Sequence, residues 1–268
     1  MGKLFDLESP IMRGLSRMAD LIILNLLVLV FFLPALGVFS LTINLNLPLP
    51  LIVLLTWAAS LIVGPALTGL HYVLLKMVRD EEGYLIKGFF KSFRENFGQS
   101  VALAGIVVTA TAVLIADLYL MTTEAMAGLP GVLRMGLLVA AAYLFMVALW
   151  IFPLEARFVN SVFGTLKNSF FVSILALPRT LAMAGLTLLP VVILYFFDTT
   201  AIPLLIMFGI SAPAYASAFL YSKVFKRFEP EAEAVASDEE FSIDMEDGTS
   251  GEYAKSMAET DSVTGDDG

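Results

Sequence analysis

The sequence predicts an all-α, polytopic integral membrane protein, and three observations carry that prediction. Of 268 residues 58% are hydrophobic and only 15% charged, with a mean hydropathy of +0.84, whereas a soluble domain is nearer half apolar and a quarter charged. The apolar residues form long runs, with room for about six transmembrane spans of roughly 20 residues. Basic residues gather at alternate junctions between those runs, which is how a multi-pass chain marks its cytoplasmic loops.

Residues 10–19 come first. Ile11, Met12, Leu15, Met18 and Ala19 recur at helical spacing, with Arg13, Ser16 and Arg17 opposite, the pattern of a short helix on a membrane surface. The run 21–41 is too long for a signal-peptide core and has no small-residue cleavage site behind it, so it reads as a retained span, kinked near Pro34. Asp20 is expected to open that span, where a carboxylate complements a helix N-terminus. The second span, 49–75, contains Gly64-Pro65. The chain then turns at Asp80-Glu81-Glu82-Gly83 and returns over 84–97, with Leu85, Ile86, Phe89, Phe90, Phe93 and Phe97 on one side and Lys87, Lys91, Arg94 and Asn96 on the other. Those two sets fall on opposite faces of a helix, a second surface element.

Spans three and four are expected at 101–121 and 132–153. Between 159 and 177 the residues Val159, Val162, Phe163, Leu166, Phe170, Ile174 and Leu177 form an apolar stripe, with Asn160, Thr165, Lys167, Asn168 and Ser173 off it. This predicts a third surface helix. Spans five and six follow at 181–197 and 202–221.

Orientation follows from the cations. Lys3, Arg13 and Arg17 precede span one; Lys76, Arg79, Lys87, Lys91 and Arg94 lie between spans two and three; Arg157, Lys167 and Arg179 lie between four and five; Lys223, Lys226 and Arg227 follow six. The loops near 42–49, 122–131 and 198–202 hold no Lys or Arg. Both termini and both large loops are therefore expected on the cytoplasmic side of the plasma membrane.

The formal charge of −9 belongs to the end of the chain. From Glu229 to Gly268 there are 14 Asp and Glu against Lys255, which leaves 11 acids and 15 bases for the preceding residues. A membrane domain over 1–228 and a disordered acidic tail over 229–268 are expected, because such a segment cannot bury a core. A tail of this kind suits a high-salt cytoplasm, which makes a halophilic source one explanation and a solvating or partner-binding segment the other. Pro65, Pro153 and Pro213 are each followed 14 positions on by a basic residue (Arg79, Lys167, Arg227), a spacing that suggests a threefold repeat of surface helix, span and span.

The chemistry is sparse. Without Cys there is no disulfide or thiolate site, and one His excludes a multi-histidine metal centre. No phosphate-binding glycine loop, zinc-protease motif or nucleophile elbow is present, so no enzyme, cofactor, metal or nucleic-acid partner is expected. An ionisable group deep in a membrane is a functional candidate by default, but Asp20, Glu155, Arg157 and Asp198 fall near span ends, with Glu155 and Arg157 expected at the rim beside cations or lipid headgroups. His71 and Asp117 lie deeper and toward opposite faces, too far apart for a chain of proton carriers. The residues expected to meet lipid or a partner are Arg79, Asp80, Glu81, Glu82, Phe90, Lys91, Phe93, Arg94, Arg157 and Lys167, since cations interleaved with aromatics suit anionic lipid or a partner's cleft.

Three stretches carry a likeness to a known family: VRDEEGYLIKGFFKSFRENF at 78–97, DLIILNLLVLVFFLPALG at 20–37 and FPLEARFVNSVFGTLKNSF at 152–170. In these, and in their order over roughly residues 3–228, the chain resembles the YesL-like prokaryotic membrane proteins, a domain of unknown function. Family members pass quickly from the Leu-Pro of span one to the segment equivalent to 64–75, whereas this chain inserts the mostly apolar residues 39–63. The resemblance implies an accessory role beside a carbohydrate ABC transporter, contacting its permease or ATPase subunits. It supplies no catalytic or binding residues. An autonomous small-solute transporter is the alternative, since proline-interrupted spans often line substrate paths.

Overall fold

The computed structural model describes residues 10–81, 83–123 and 130–228; Glu82 and the expected acidic tail at 229–268 lie outside them. The chain divides into two units, Met1–Ser222 and Lys223–Gly268. In the second, residues 223–228 are described and continue a helix into a turn in which Arg227 N–H donates to Val224 O at 3.0 Å.

All regular structure among the described residues is helical. Helix α1 runs unbroken over Pro10–Asn44, which overturns the expected separation of a surface helix at 10–19 from a span at 21–41. No proline occurs between Pro10 and Pro34 to stop it, and 35 residues at 1.5 Å each make a rod of about 50 Å, longer than a bilayer core. Asp20 consequently sits inside α1 and not at a helix N-terminus.

The second span is two helices, α2 (Leu49–Ser60) and α3 (Val63–Val78). The break has a covalent cause. Pro65 has no N–H to return to Leu61, and Gly64 N–H takes the Leu61 carbonyl instead at 3.2 Å. Helix α4 covers Leu85–Glu95 and α5 Phe97–Leu120, divided at Asn96, whose side chain donates to Ser92 O at 3.0 Å. Helix α6, Gly131–Arg157, carries Pro153 in its last turns and runs past the expected end of span four. Helices α7 (Val162–Leu175) and α8 (Leu177–Phe197) follow. At Asp198 the backbone takes φ 50°, and a 3-10 turn over Asp198–Ala201 leads into α9 (Ile202–Phe208) and α10 (Ser211–Phe225).

Among the described residues, five helical stretches are long and apolar enough to cross a membrane: Gly14–Asn44, Leu49–Val78, Phe97–Leu120, Gly131–Arg157 and Leu177–Phe208. The stretch expected as span six is divided between α9 and α10, each too short to cross alone. Pro65 and Pro213 both stand third in the helix after a break, whereas Pro153 interrupts nothing, so the three prolines of the expected repeat are not structurally equivalent.

Helix α3 is central, packing on α1, α4, α5 and α6. Leu103 and Ala104 of α5 meet Val147, Ile151 and Phe152 of α6 in a buried cluster. Among the buried residues are many small hydroxyl side chains beside the apolar ones, as in other membrane bundles, where lipid leaves no solvent-driven sorting of apolar groups inward. Helix α7 shows the consequence. Thr165, Ser169, Val172 and Ser173 point inward, while Phe163, Phe170 and Ile174 of the expected apolar stripe face out. Leu33 on α1, Leu49 on α2 and Tyr195 on α8 are also exposed. A soluble monomer does not leave so much apolar surface bare; this protein is a multi-pass membrane protein whose outer surface contacts lipid.

Candidate functional site

At the end of the bundle where α3 gives way to α4, the sequence builds a charged cleft. Helix α4 is tied down by its aromatic side. Phe89 is fully buried, and the absence of a side chain at Gly69 lets α4 lie directly on α3: a Cβ there would stand 2.9 Å from the Phe89 carbonyl oxygen. Phe31 of α1 lies 4.8 Å from the Phe93 ring and 6.1 Å from Phe89, centre to centre. The aromatic stripe expected to rest on lipid is therefore largely spent on α1 and α3. Phe93 is half-buried there, and Phe90 stands edge-on to Phe89 at 5.3 Å.

The turn between α3 and α4 is pinned to α1. Asp80 adopts φ 54°, a left-handed conformation that Asp and Asn tolerate better than most residues. Arg17 Nη2 donates to its carboxylate at 2.6 Å, and Arg17 Nη1 to the Met77 carbonyl at 2.8 Å. Lys76 Nζ stands 4.0 Å from Glu81 and over the Tyr72 ring at 5.4 Å. Between these groups and α4 opens a cleft of about 760 Å³, into which Arg17, Lys76, Lys87 and Lys91 bring positive charge and Asp20, Asp80 and Glu81 negative. A second, shallower groove of about 500 Å³ runs along α4 between Lys87, Lys91, Arg94, Glu95, Ile86 and Phe90.

Of the expected contact residues, Asp80, Glu81 and Lys91 line the cleft, and Phe90, Lys91 and Arg94 the groove. Arg79 caps α3, its N–H donating to Leu75 O and Lys76 O, while Phe93 is packed inward. Arg157 and Lys167 are exposed on α6 and α7 and belong to neither surface. Glu82 lies outside the described residues. Sequence reasoning missed the contribution of Arg17, Asp20, Tyr72 and Lys76. Arg17 and Asp80 lie 63 positions apart, and no local pattern pairs them.

Two further polar constructions lie inside the bundle. Asn25 of α1 is fully buried and fills the break between α9 and α10. Its Nδ2 donates to Ile206 O at 2.6 Å and Leu205 O at 3.3 Å, and its Oδ1 accepts from Ile210 N–H at 2.8 Å and Ser211 N–H at 2.9 Å. The side chain thus replaces the helix bonds that the break removes. The second corrects the expectation of Glu155 at an exposed rim. It is 3% exposed, and its carboxyl oxygens meet Ser100 Oγ at 2.8 Å and Thr68 Oγ1 at 2.9 Å. The expected deep residue His71 reaches Tyr221 Oη at 3.2 Å.

Residues 21–118 match a protein family described as "Protein of unknown function, DUF624". That segment takes in most of α1, all of α2 to α4 and nearly all of α5. No curated protein and no solved structure matches the chain. No group of acidic or histidine side chains able to hold a metal ion occurs among the described residues.

Proposed function

We propose that this chain is a YesL-like accessory protein of the plasma membrane. Its charged end faces the cytoplasm and docks a subunit, permease or ATPase, of a carbohydrate ABC transport system. The observation that supports this reading is the division of labour on α4. Its aromatic side is anchored on α1 and α3, leaving Lys87, Lys91 and Arg94 exposed on a rigid helix beside a cleft carrying both signs of charge. Fixed charges of that kind select and orient a complementary partner. The test is native co-purification in mild detergent, comparing wild type with the double substitution Lys91→Glu and Arg94→Glu. Transporter subunits recovered with wild type and lost with the double variant support docking. Recovery unchanged by charge reversal, with uptake intact, rejects it.

The inward-facing orientation has its own test. Because the chain has no Cys, single cysteines at Tyr84 and Val132 can be probed in intact cells. A membrane-impermeant maleimide should label position 132 and spare position 84.

Autonomous solute transport is the second reading, supported by the two proline-associated breaks in Leu49–Val78 and in 202–225, since interrupted helices line many substrate paths. Asn25 weighs against it at the second break, because it already occupies the freed backbone groups. Flux into vesicles holding only this protein would establish transport; none over a broad solute panel would dismiss it.

A further inference from the structure

Glu155, Thr68 and Ser100 come from three helices, α6, α3 and α5, and all are buried, at 3%, 0% and 0% exposure. Their oxygens form a closed ring. Thr68 Oγ1 and Ser100 Oγ are 2.9 Å apart, Ser100 Oγ is 2.8 Å from Glu155 Oε1, and Thr68 Oγ1 is 2.9 Å from Glu155 Oε2. Each separation is a full hydrogen-bond length for two oxygens, and each therefore needs its own proton.

A count of protons decides the state of the ring. A threonine and a serine hydroxyl supply one proton each, and an ionised carboxylate supplies none. With Glu155 ionised, one of the three short contacts would set lone pair against lone pair inside an apolar bundle, where an unsatisfied polar contact is costly. Thr68 Oγ1 also lies 3.2 Å from the Gly64 carbonyl, a longer contact outside the ring. Within the ring, one further proton makes up the shortage. A carboxylic acid at Glu155 donates to Thr68, Thr68 to Ser100, and Ser100 back to the other carboxyl oxygen; the opposite circulation serves equally. The close approach of α3 to α5 that makes the ring possible depends on Gly64, where a Cβ would collide with the Ser100 carbonyl.

We propose that Glu155, Thr68 and Ser100 form a proton-binding site within the membrane domain, occupied at neutral pH by a proton on the Glu155 carboxyl. Binding adds the proton to one carboxylate oxygen and reorients two hydroxyls; no other bond forms or breaks. The site stands apart from the charged cleft and does not depend on the docking reading.

The test is an infrared difference spectrum of the full-length protein in lipid nanodiscs at neutral pH, wild type against Glu155→Gln. A glutamine amide can donate to Thr68 and accept from Ser100, so this variant should keep the ring and the wild-type melting temperature. The expected result is a protonated-carboxyl C=O band in wild type that Glu155→Gln lacks, unchanged between sodium and choline buffers. No such band overturns the proposal. A band present in choline and lost on adding NaCl also overturns it, replacing the proton with a sodium ion. If the variant is not recovered folded, carboxyl-labelled glutamate in the wild-type protein gives the same answer by NMR. A carboxyl resonance at the protonated position at neutral pH supports the site, and its absence rejects it.

Discussion

The bundle interior and the charged end treat their polar groups in opposite ways. Inside, Asn25 makes four hydrogen bonds to backbone groups of a broken helix, and Glu155 joins two hydroxyls in a closed ring. At the charged end Arg17 meets Asp80 at 2.6 Å, yet the Asp80 side chain is 86% exposed, and Lys91 stands 4.0 Å from Glu95 with both side chains mostly in solvent. Distance alone would rank the Arg17–Asp80 contact with the best in the molecule. Burial reverses the ranking, because a lost partner inside apolar surroundings is replaced by nothing, whereas at an exposed site water takes its place. The interior contacts hold the fold, and the exposed charges contribute little to it.

The sharpest way to break this comparison is Asn25→Leu. It strands the N–H groups of Ile210 and Ser211 and should cost about 4 kcal/mol, read as a loss of detergent-resistant folded protein in a thermal melt. A near-neutral result would mean that the helix break is satisfied without Asn25. Phe89→Ala comes next. Emptying the space between α4, Gly69 and Phe31 should cost about 3 kcal/mol and release α4, so proteolysis in the 80–83 turn should accelerate along with the melt.

Gly64→Ala tests the α3–α5 approach. The new methyl must displace the Ser100 backbone, and overpacking of this kind costs about 2 kcal/mol; Gly105→Ala on α5, where a Cβ finds ordinary contact distances of 3.5 Å and more, should melt within experimental error of wild type. The smallest effect belongs to the charged end. Asp80→Asn keeps a residue that tolerates φ 54° while removing the ion pair, and should change stability by less than about 1 kcal/mol, with the difference vanishing in high salt. A large loss there would show that the Arg17–Asp80 pair supports the fold.

The expected elements and the observed ones agree where hydrophobicity along the chain is sufficient to define them. The runs at 101–121 and 132–153 are helical almost throughout, that at 49–75 is helical on either side of a break at 61–62, and the chain turns at Arg79 and Asp80, beside the acidic cluster. Disagreements arise where a local pattern is read without the helices that pack around it. The stripe of Phe163, Phe170 and Ile174 on α7 is expected on a surface helix, and it is exposed. What a bilayer does not accept is Thr165, Ser169 and Ser173, and these point inward. Glu155 is expected at the rim because it falls near the end of a span, yet α3 and α5 enclose it.

The sequence by itself determined that this is a helical membrane protein, where its apolar runs lie and where its cations gather. Each of those follows from residues adjacent in the chain, since a span is a continuous stretch that must satisfy its own backbone. Only the tertiary structure decided which polar residues meet. Thr68 lies 32 positions from Ser100 and 87 from Glu155, and Asn25 lies 185 and 186 positions from the two N–H groups it accepts from. Isolated polar residues scattered through apolar runs carry no periodic signal. Their partners are set by how closely the helices approach, and at α3 and α5 that distance depends on Gly64 having no side chain.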